Sequence, residues 1–194
     1  MGNPSDDHRK AVKNGLRYLN ETQDLSLKFG GLDVTELKLE AYADADYASQ
    51  RENRRSISGY VMMLGGAAVS WKSKQQSCVA TSTADTEYVA LCEAAKEVVF
   101  LRRMCEDLGI EQEGSTPMFE DNQACISMVN SPVYSDRNKH IDVRYHYTRW
   151  LVEEGVVEVK YISTHKQLAD IFTKALPRDQ FQKLRNIIMG HARY

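Results

Sequence analysis

The sequence predicts an α/β fold in which a mixed sheet carries helices on its faces. Between residues 37 and 74, three β-rich segments are joined by polar or glycine-containing turns. One long amphipathic helix follows them, and strand and helix patterns then alternate along the rest of the chain. Consecutive hairpin strands followed by alternating strands and helices are typical of a mixed sheet with helical layers packed on it.

The composition is that of an ordinary globular chain, with 42% hydrophobic and 27% charged residues among 194. This is enough for one domain with a core and a flanking piece. No apolar run approaches the ~20 residues of a membrane helix, and no secretory signal is expected. Four cysteines lack the spacing of a zinc site and are expected to be reduced thiols in a reducing compartment. They are Cys78, Cys92, Cys105 and Cys125.

The net charge of −2 does not by itself indicate a nucleic-acid-binding protein, whose domains usually carry a basic patch. It does not exclude one either. Carboxylates that hold divalent cations lower the formal charge without repelling phosphate once the cations are in place.

The first 35 residues are expected to be a helix and a hairpin that are separable from the rest. Ser5 and the acids after it are a helix-start signal, and Val12, Leu16 and Leu19 follow at helical spacing up to about residue 20. Residues 25–29 alternate as in a short strand, which two glycines close.

The segment Leu37–Asp46 is the strand around which the predicted sheet is built. Leucine and alanine occupy alternate positions, and polar residues between them lead to the acids Asp44 and Asp46. Side chains alternate along a strand, so the apolar set is expected on one face and both acids on the other. Residues 57–64 and 67–74 flank Gly65-Gly66 and predict a hairpin, which gives three consecutive antiparallel strands.

The longest helix is predicted to begin at Thr81-Ser82-Thr83 and to end at Gly109. Its apolar stripe recurs at spacings of three and four residues. The stripe consists of Tyr88, Leu91, Ala95, Val98, Leu101, Cys105 and Leu108. The remaining predicted elements are a strand near 118–119, helices at 123–130 and 137–154, a strand at 156–162, a short helix at 167–174 and a final helix at 178–189.

Four acids lie where this topology brings chain segments together: Asp44, Glu87, Asp121 and Asp170. Ligands gather where the ends of elements meet in an open sheet. Four oxygen donors without a histidine or cysteine cluster suit Mg²⁺ or Mn²⁺, and two such ions would activate a water and stabilise a leaving oxygen of a phosphodiester. With 27 acids in the chain, however, spacing alone is weak evidence, and each acid taken singly is better explained as a helix cap or a solvated side chain.

Seven segments together resemble the ribonuclease H domain of copia-type LTR-retrotransposon polyproteins. They occur in the family's order between about Leu37 and Leu184, at residues 42–48, 54–60, 69–75, 82–88, 120–123, 139–146 and 167–174. Among them are Tyr-Ala-Asp-Ala-Asp, Glu-Asp-Asn-Gln and Gln-Leu-Ala-Asp-Ile-Phe-Thr-Lys. Residues 4–27 are similar to the last helix and hairpin of the adjoining reverse-transcriptase region.

The resemblance implies the ribonuclease H fold, a five-stranded mixed sheet with helices on both faces. It implies three regions: residues 1–35 as the end of the reverse-transcriptase connection, 36–177 as the ribonuclease H domain, and 178–194 as a C-terminal helix and tail. It also implies hydrolysis of the RNA strand of RNA–DNA hybrids with Mg²⁺ or Mn²⁺, a reverse transcriptase in the same polyprotein, and a cytoplasmic location within virus-like particles. We expect a monomer and no membrane partner.

The resemblance also implies roles for the acids. Asp44 matches the first catalytic acid, Glu87 the acid of the helix, Asp121 the third and Asp170 the fourth. Asp46 is the alternative to Asp44, because strand parity alone does not choose between them. His165 precedes Asp170 by five residues, where it is either a proton shuttle or an exposed loop histidine.

Candidate substrate contacts surround these acids. Ser82, Thr83, Asn122 and Gln123 are small donors suited to the 2′-hydroxyls of a hybrid, although helix capping explains Ser82 and Asn122 equally well. Four cations are candidates for gripping phosphates, or are solvated surface charges: Arg54, Arg55, Lys72 and Lys74. Trp71 is expected to pack against the sheet rather than to stack on a base.

Two other functions stay open at this point. The chain could be a non-catalytic module that binds hybrids or has a structural role, or a DNA strand transferase on the same fold. The position of Glu87 on a helix and the presence of four acids rather than three argue against the transferase. Cleavage assays on labelled hybrid, duplex DNA and single-stranded RNA discriminate among the three.

Overall fold

The computed structural model describes residues 5–30, 37–49, 54–77, 80–130 and 139–192. Its helices are α1 (Asp6–Glu21), α2 (Thr83–Asp107), α3 (Gln123–Asn130), α4 (Lys139–Glu153) and α5 (Arg178–Ile188). Its strands are β1 (Glu40–Asp46), β2 (Ile57–Leu64), β3 (Ala67–Gln75), β4 (Thr116–Glu120) and β5 (Val157–Tyr161). Short 3₁₀ helices cover Thr164–Lys166 and Leu168–Phe172. No helix in the described ranges is long and apolar enough to cross a membrane.

The five strands form one mixed sheet in the order β3-β2-β1-β4-β5. β1 pairs with β2, and β2 with β3, in antiparallel fashion, whereas β4 is parallel to both β1 and β5. The predicted α/β class, with three antiparallel strands followed by alternating helices and strands, is therefore confirmed. The order makes β1 the central strand, so both of its edges are paired with other strands.

Apolar side chains cover both faces of the sheet. On one face, Leu39, Ala41 and Ala43 pack with buried residues of α2, α3 and α4. On the other face, Tyr42 packs with the Leu168–Phe172 3₁₀ helix and with α5. The interior of β1 is consequently buried on both sides. The expected contrast between an apolar and a polar face is weaker than predicted, because Tyr42 contributes its ring to the second core.

Three local expectations differ from the structure. Residues 25–29 form no regular strand; instead the Lys28 N–H donates to the Met189 carbonyl at 2.9 Å, which ties this segment to the end of α5. Leu108, the last residue of the predicted α2 stripe, is 68% exposed because it caps the helix beyond the core. Trp71 of β3, which was expected to pack against the sheet, is 54% exposed.

The N-terminal helix meets α5 through Tyr18, whose hydroxyl accepts a hydrogen bond from Arg185 at 3.4 Å. The rings of Tyr18 and Phe181 meet edge to face with their centroids 5.7 Å apart, while Val12, Leu16 and Leu19 are exposed. The predicted division at residues 35 and 36 lies outside the described residues and stays a prediction. The predicted boundary at 177 and 178 also stays a prediction; Leu184, Ile187 and Ile188 of α5 belong to the second core.

Candidate metal centre

Asp44 lies near the C-terminal end of the central strand and is 1% exposed. Its neighbour across the antiparallel ladder is Gly59. Asp46, the alternative that strand parity allowed, is the last residue of β1 and is only half-buried. The two acids, only two residues apart on the strand, therefore differ in burial: Asp44 is enclosed by the protein, and Asp46 reaches its surface.

Glu87 reaches Asp44 because α2 begins beside the end of β1. The Ser82 side chain accepts a hydrogen bond from the Asp85 N–H at 3.1 Å, which fixes the first turn of the helix. Glu87 follows one turn later, is buried, and accepts a hydrogen bond from the backbone N–H of Ala45. Asp121 follows β4, the strand parallel to β1. One carboxylate oxygen from each of Asp44, Glu87 and Asp121 lies within 4.8 Å of the other two.

Asp170 is brought to the same strand end by the Leu168–Phe172 3₁₀ helix, which Gln167 attaches to the sheet. The buried Gln167 amide donates to the Ala43 carbonyl at 2.8 Å and to the Phe119 carbonyl at 3.3 Å. Its Oε1 accepts from the Ala169 N–H at 3.2 Å. One side chain thus links β1, β4 and the helix that carries Asp170. Sequence reasoning did not single out this role.

Gly59 allows this 3₁₀ helix to lie directly against β2. A Cβ at position 59 would meet Thr173 Cγ2 at 2.7 Å, Phe172 Cβ at 2.8 Å and the Ala169 carbonyl oxygen at 3.2 Å. The first two distances are shorter than real Cβ contacts. Because Gly59 has no side chain, the segment that carries Asp170 can lie close to Asp44.

Thr173 and Lys174, which follow the 3₁₀ helix, contact the buried acids directly. The Thr173 hydroxyl donates to Asp44 Oδ2. Lys174 Nζ lies 2.8 Å from Asp170 Oδ1 and 3.6 Å from Asp44 Oδ1. Asp170 is outside the three-carboxylate group of Asp44, Glu87 and Asp121, and Lys174 bridges it to Asp44.

Glu120 is a further acid beside the cluster that sequence reasoning missed. It is fully buried, and its Oε1 accepts from the Asn122 N–H at 3.0 Å, whereas Oε2 is buried without a hydrogen-bond partner. The alternation of residues along β4 could have indicated that Glu120 is buried. Thr116, Met118 and Glu120 occupy alternate, buried positions of β4, so an acid stands where a core residue is expected.

Burial and mutual repulsion both disfavour the ionised forms of these acids, and burial is the larger effect. Burial raises the pKa of Glu87 to about 11, with the neighbouring charges of Glu120 and Asp44 adding to the rise. Burial also raises the pKa of Asp44 and that of Glu120, and it raises the pKa of Asp170 to about 6 against the lowering effect of Lys174. Ionising all of these acids together requires positive charge from outside the protein.

The donor set fits a hard divalent cation. Its members are carboxylate oxygens, the ligands that Mg²⁺ and Mn²⁺ prefer. Glu87 Oε2, like Glu120 Oε2, is buried without a hydrogen-bond partner, which is costly for a polar atom. Three carboxylates held close together with an unsatisfied oxygen can therefore accommodate a cation.

The proposed sugar-contacting residues lie at the two helix starts that border these acids. Ser82 caps α2, and Asn122 Oδ1 accepts from the Cys125 N–H at 3.0 Å to cap α3. Thr83 and Gln123 are exposed beside them. His165 is exposed in the Thr164–Lys166 turn, and its role in proton transfer stays a prediction.

The four candidate phosphate-contacting cations are not in one environment. Lys72 lies over the Tyr60 ring, 5.8 Å from the centroid, and 3.6 Å from Glu93 of α2. Lys74, on the same side of β3, lines a cleft of about 100 Å³ with Lys72 and Glu93. Arg54 and Arg55 are exposed just before β2. Their contacts with substrate stay predictions.

Comparison with known proteins identifies relatives of this chain. The Pol polyprotein of transposon TNT 1-94 from Nicotiana tabacum is 40% identical over 192 residues, which cover 99% of this chain. That of transposon RE2 from Arabidopsis thaliana is 38% identical over 184 residues, or 94% of the chain. The chain spans only 14% and 12% of the lengths of these two relatives. No protein-family model matches it.

Solved structures share the fold. The N-terminal ribonuclease H domain of Rv2228c from Mycobacterium tuberculosis superposes with a TM-score of 0.53 at 10% identity, covering 78% of this chain and 98% of that one. LC11 ribonuclease H1, solved in complex with an RNA/DNA hybrid, gives a TM-score of 0.51 at 16% identity and covers 70% and 94%. The chain belongs to the copia-type retrotransposon Pol polyproteins, of which it is the region with the ribonuclease H fold.

Proposed function

We propose that this chain is a divalent-metal-dependent ribonuclease H that cleaves the RNA strand of RNA–DNA hybrids. The observation that carries the proposal is the convergence of carboxylate oxygens of Asp44, Glu87 and Asp121 within 4.8 Å of one another. Membership of the Pol polyproteins and the shared fold support it. In the full polyprotein, the same chain would also carry the reverse transcriptase that makes the hybrid.

Asp44, Glu87, Asp121 and Asp170 would hold the cation, two ions in the complete site. Divalent cations held by these acids would supply the activation of a water and the neutralisation of charge on the leaving oxygen. Glu120 lies behind this group, and its hydrogen bond from the Asn122 N–H fixes the turn that presents Asp121. The protein's own contribution is to hold these acids close together despite their mutual repulsion.

Ser82 and Asn122 can contact ribose without giving up their capping roles. Ser82 caps through an oxygen lone pair, which leaves its hydroxyl proton free to donate. Asn122 caps through Oδ1, which leaves its NH₂ group as a donor. Donors at these two helix starts suit the 2′-hydroxyls that an A-form-like duplex displays across its wide minor groove.

Lys74, Arg54 and Arg55 would contact phosphates of the hybrid, since side chains of this type fix the position of a duplex without reading its sequence. Lys72 is a weaker candidate because Glu93 already neutralises part of its charge. Within the same proposal, the protein acts as a monomeric unit of the polyprotein in cytoplasmic virus-like particles.

The variant Asp121→Asn tests the proposal. We expect cleavage of labelled hybrid in Mg²⁺ to fall by more than about 100-fold, since loss of groups that merely support a metal site already costs 10–100-fold. Folding, measured by circular dichroism, and hybrid binding should persist. Asp46→Asn, which neutralises an acid at the surface end of the same strand, should cleave normally.

Three other outcomes would overturn the assignment. Full activity of Asp121→Asn would show that these acids do not form the site. Absence of metal-dependent cleavage by the wild-type protein, with hybrid binding retained, would favour the non-catalytic module. Cutting of duplex DNA in preference to hybrid would favour the strand transferase.

A further inference from the structure

Lys174 forms ion pairs with two of the four candidate metal-binding acids. Its ammonium group lies 2.8 Å from Asp170 Oδ1 and 3.6 Å from Asp44 Oδ1, and both of these acids are 1% exposed. Within the described part of the chain, the ion pairs to Asp44, Glu87, Asp121 and Asp170 all come from Lys174. One lysine is therefore the internal counter-charge for this group of acids.

The ion pairs of Lys174 are with Asp44 and Asp170, on one side of the group. The lysine bridges Asp44 and Asp170, whereas the carboxylates of Asp44, Glu87 and Asp121 already lie within 4.8 Å of one another. Glu87 Oε2 is buried without a hydrogen-bond partner. The two parts of the group thus differ: the ammonium group of Lys174 lies between Asp44 and Asp170, whereas Glu87 and Asp121 have no ion pair among the described residues.

We propose that Lys174 is a built-in counter-ion that occupies the Asp44–Asp170 position and must leave before a divalent cation can bind there. This inference rests on the proposed function, since it concerns the same acids. It implies an order of loading. The Asp44–Glu87–Asp121 position accepts a cation first, and the position shared by Asp44 and Asp170 fills only after the ammonium group has been displaced.

The side chain is suited to such a displacement. Lysine carries a compact charge on a flexible stem of four carbons, and 34% of the Lys174 side chain is exposed, so the ammonium group can swing into solvent. Thr173, by contrast, is buried and hydrogen-bonds both the Asp44 carboxylate and the Asp170 carbonyl, so the backbone can stay in place while the lysine moves. Only one side chain needs to change conformation.

Calorimetric titration with Mn²⁺ tests the inference on the wild-type protein and on Lys174→Met, after removal of metal with a chelator. Without the competing charge, we expect the weaker of the two binding events to tighten by about tenfold, a modest value for a unit charge a few ångströms away at a partly exposed position. The chelated variant should also melt at a lower temperature than the chelated wild type, because Asp44 and Asp170 then repel each other without a counter-ion. Added Mn²⁺ should raise its melting temperature by more than it raises that of the wild type.

Two further variants separate a local effect from a general one. Lys160→Met removes the same charge from an exposed lysine that pairs with Glu158, and it should leave Mn²⁺ affinity unchanged. Lys174→Gln repeats the loss of charge with a polar side chain, in case methionine disturbs folding. Equal or weaker Mn²⁺ binding by both Lys174 variants would overturn the inference. Absence of Mn²⁺ binding by the wild type would overturn the proposed metal site itself, which is a different result.

Discussion

Substitution of Gly59 by alanine probes how the sheet positions Asp170. The added Cβ would lie 2.7 Å from Thr173 Cγ2 and 2.8 Å from Phe172 Cβ, with the Ala169 carbonyl oxygen 3.2 Å away. A threonine methyl group can rotate, but Phe172 Cβ and the carbonyl move only with the backbone. The 3₁₀ helix must therefore shift away from β2, and Thr173 and Asp170 shift with it.

The cost of this shift follows from the usual penalty for overpacking a core, about 1–3 kcal/mol. Two contacts below 3.0 Å place Gly59→Ala in the upper half of that range, about 2–3 kcal/mol. For a chain of this size, such a loss lowers the melting temperature by roughly 4–12 °C. Hybrid cleavage should fall by more than the loss of folded protein explains, because Asp170 is displaced from Asp44.

Thermal melting with and without Mg²⁺, together with cleavage rates measured well below the melting temperature, checks both effects. Gly15→Ala is the matched control: nothing lies within 4 Å of the Cβ that it adds, and it lies within α1. It should leave the protein unchanged or stabilise it by up to about 1 kcal/mol. If Gly59→Ala melts like the wild type and cleaves at its rate, the close approach of the 3₁₀ helix does not position the acids.

Two further predictions concern the support of the site and its charge. Gln167→Leu should destabilise the protein by ~3 kcal/mol in chemical denaturation, because it leaves the Ala43 and Phe119 carbonyls buried without their amide donor; a loss below ~1 kcal/mol would contradict this role. The metal-free protein should melt at progressively lower temperature between pH 5 and pH 8. Glu87 and Asp170 have folded-state pKa values of about 11 and about 6, above their ordinary 4.5 and 3.8, so the unfolded chain binds fewer protons and stability falls as pH rises. Between pH 5 and pH 7 the loss from Asp170 alone is on the order of 1 kcal/mol. Mg²⁺ should remove most of the slope. A melting temperature that rises with pH would refute the reasoning.

Much of the fold could be predicted from local patterns. Alternation in residues 37–46 and the Gly65-Gly66 turn predicted the antiparallel strands, and the stripe from Tyr88 to Cys105 predicted a helix that packs on them. Ser82 was predicted at the start of that helix, and it is the cap. These features depend on neighbours within a few residues, so the sequence records them directly.

The positions of the acids in space could not be predicted from local sequence patterns. Asp44, Glu87 and Asp121 stood out in the sequence as acids at element ends, but their spacing along the chain carries no distance in space. Alternation along the strand left Asp44 and Asp46 equally plausible as the first acid of the site. In the structure, Asp44 is buried and Asp46 is half-buried. Glu120 escaped notice because an acid next to Asp121 looks like part of a polar turn until β4 is seen to bury alternate residues.

By itself, the sequence determined the type and order of most elements, because propensity, periodicity and capping act over one or two turns of chain. Only the tertiary structure decided which acids share one space, and how they are held there. Gln167 bonds a carbonyl 124 residues away, Gly59 admits a helix more than 100 positions later in the chain, and Lys174 neutralises Asp44 on the central strand. Such contacts join residues that are distant in the sequence, and they exist only once the sheet has brought its strand ends together.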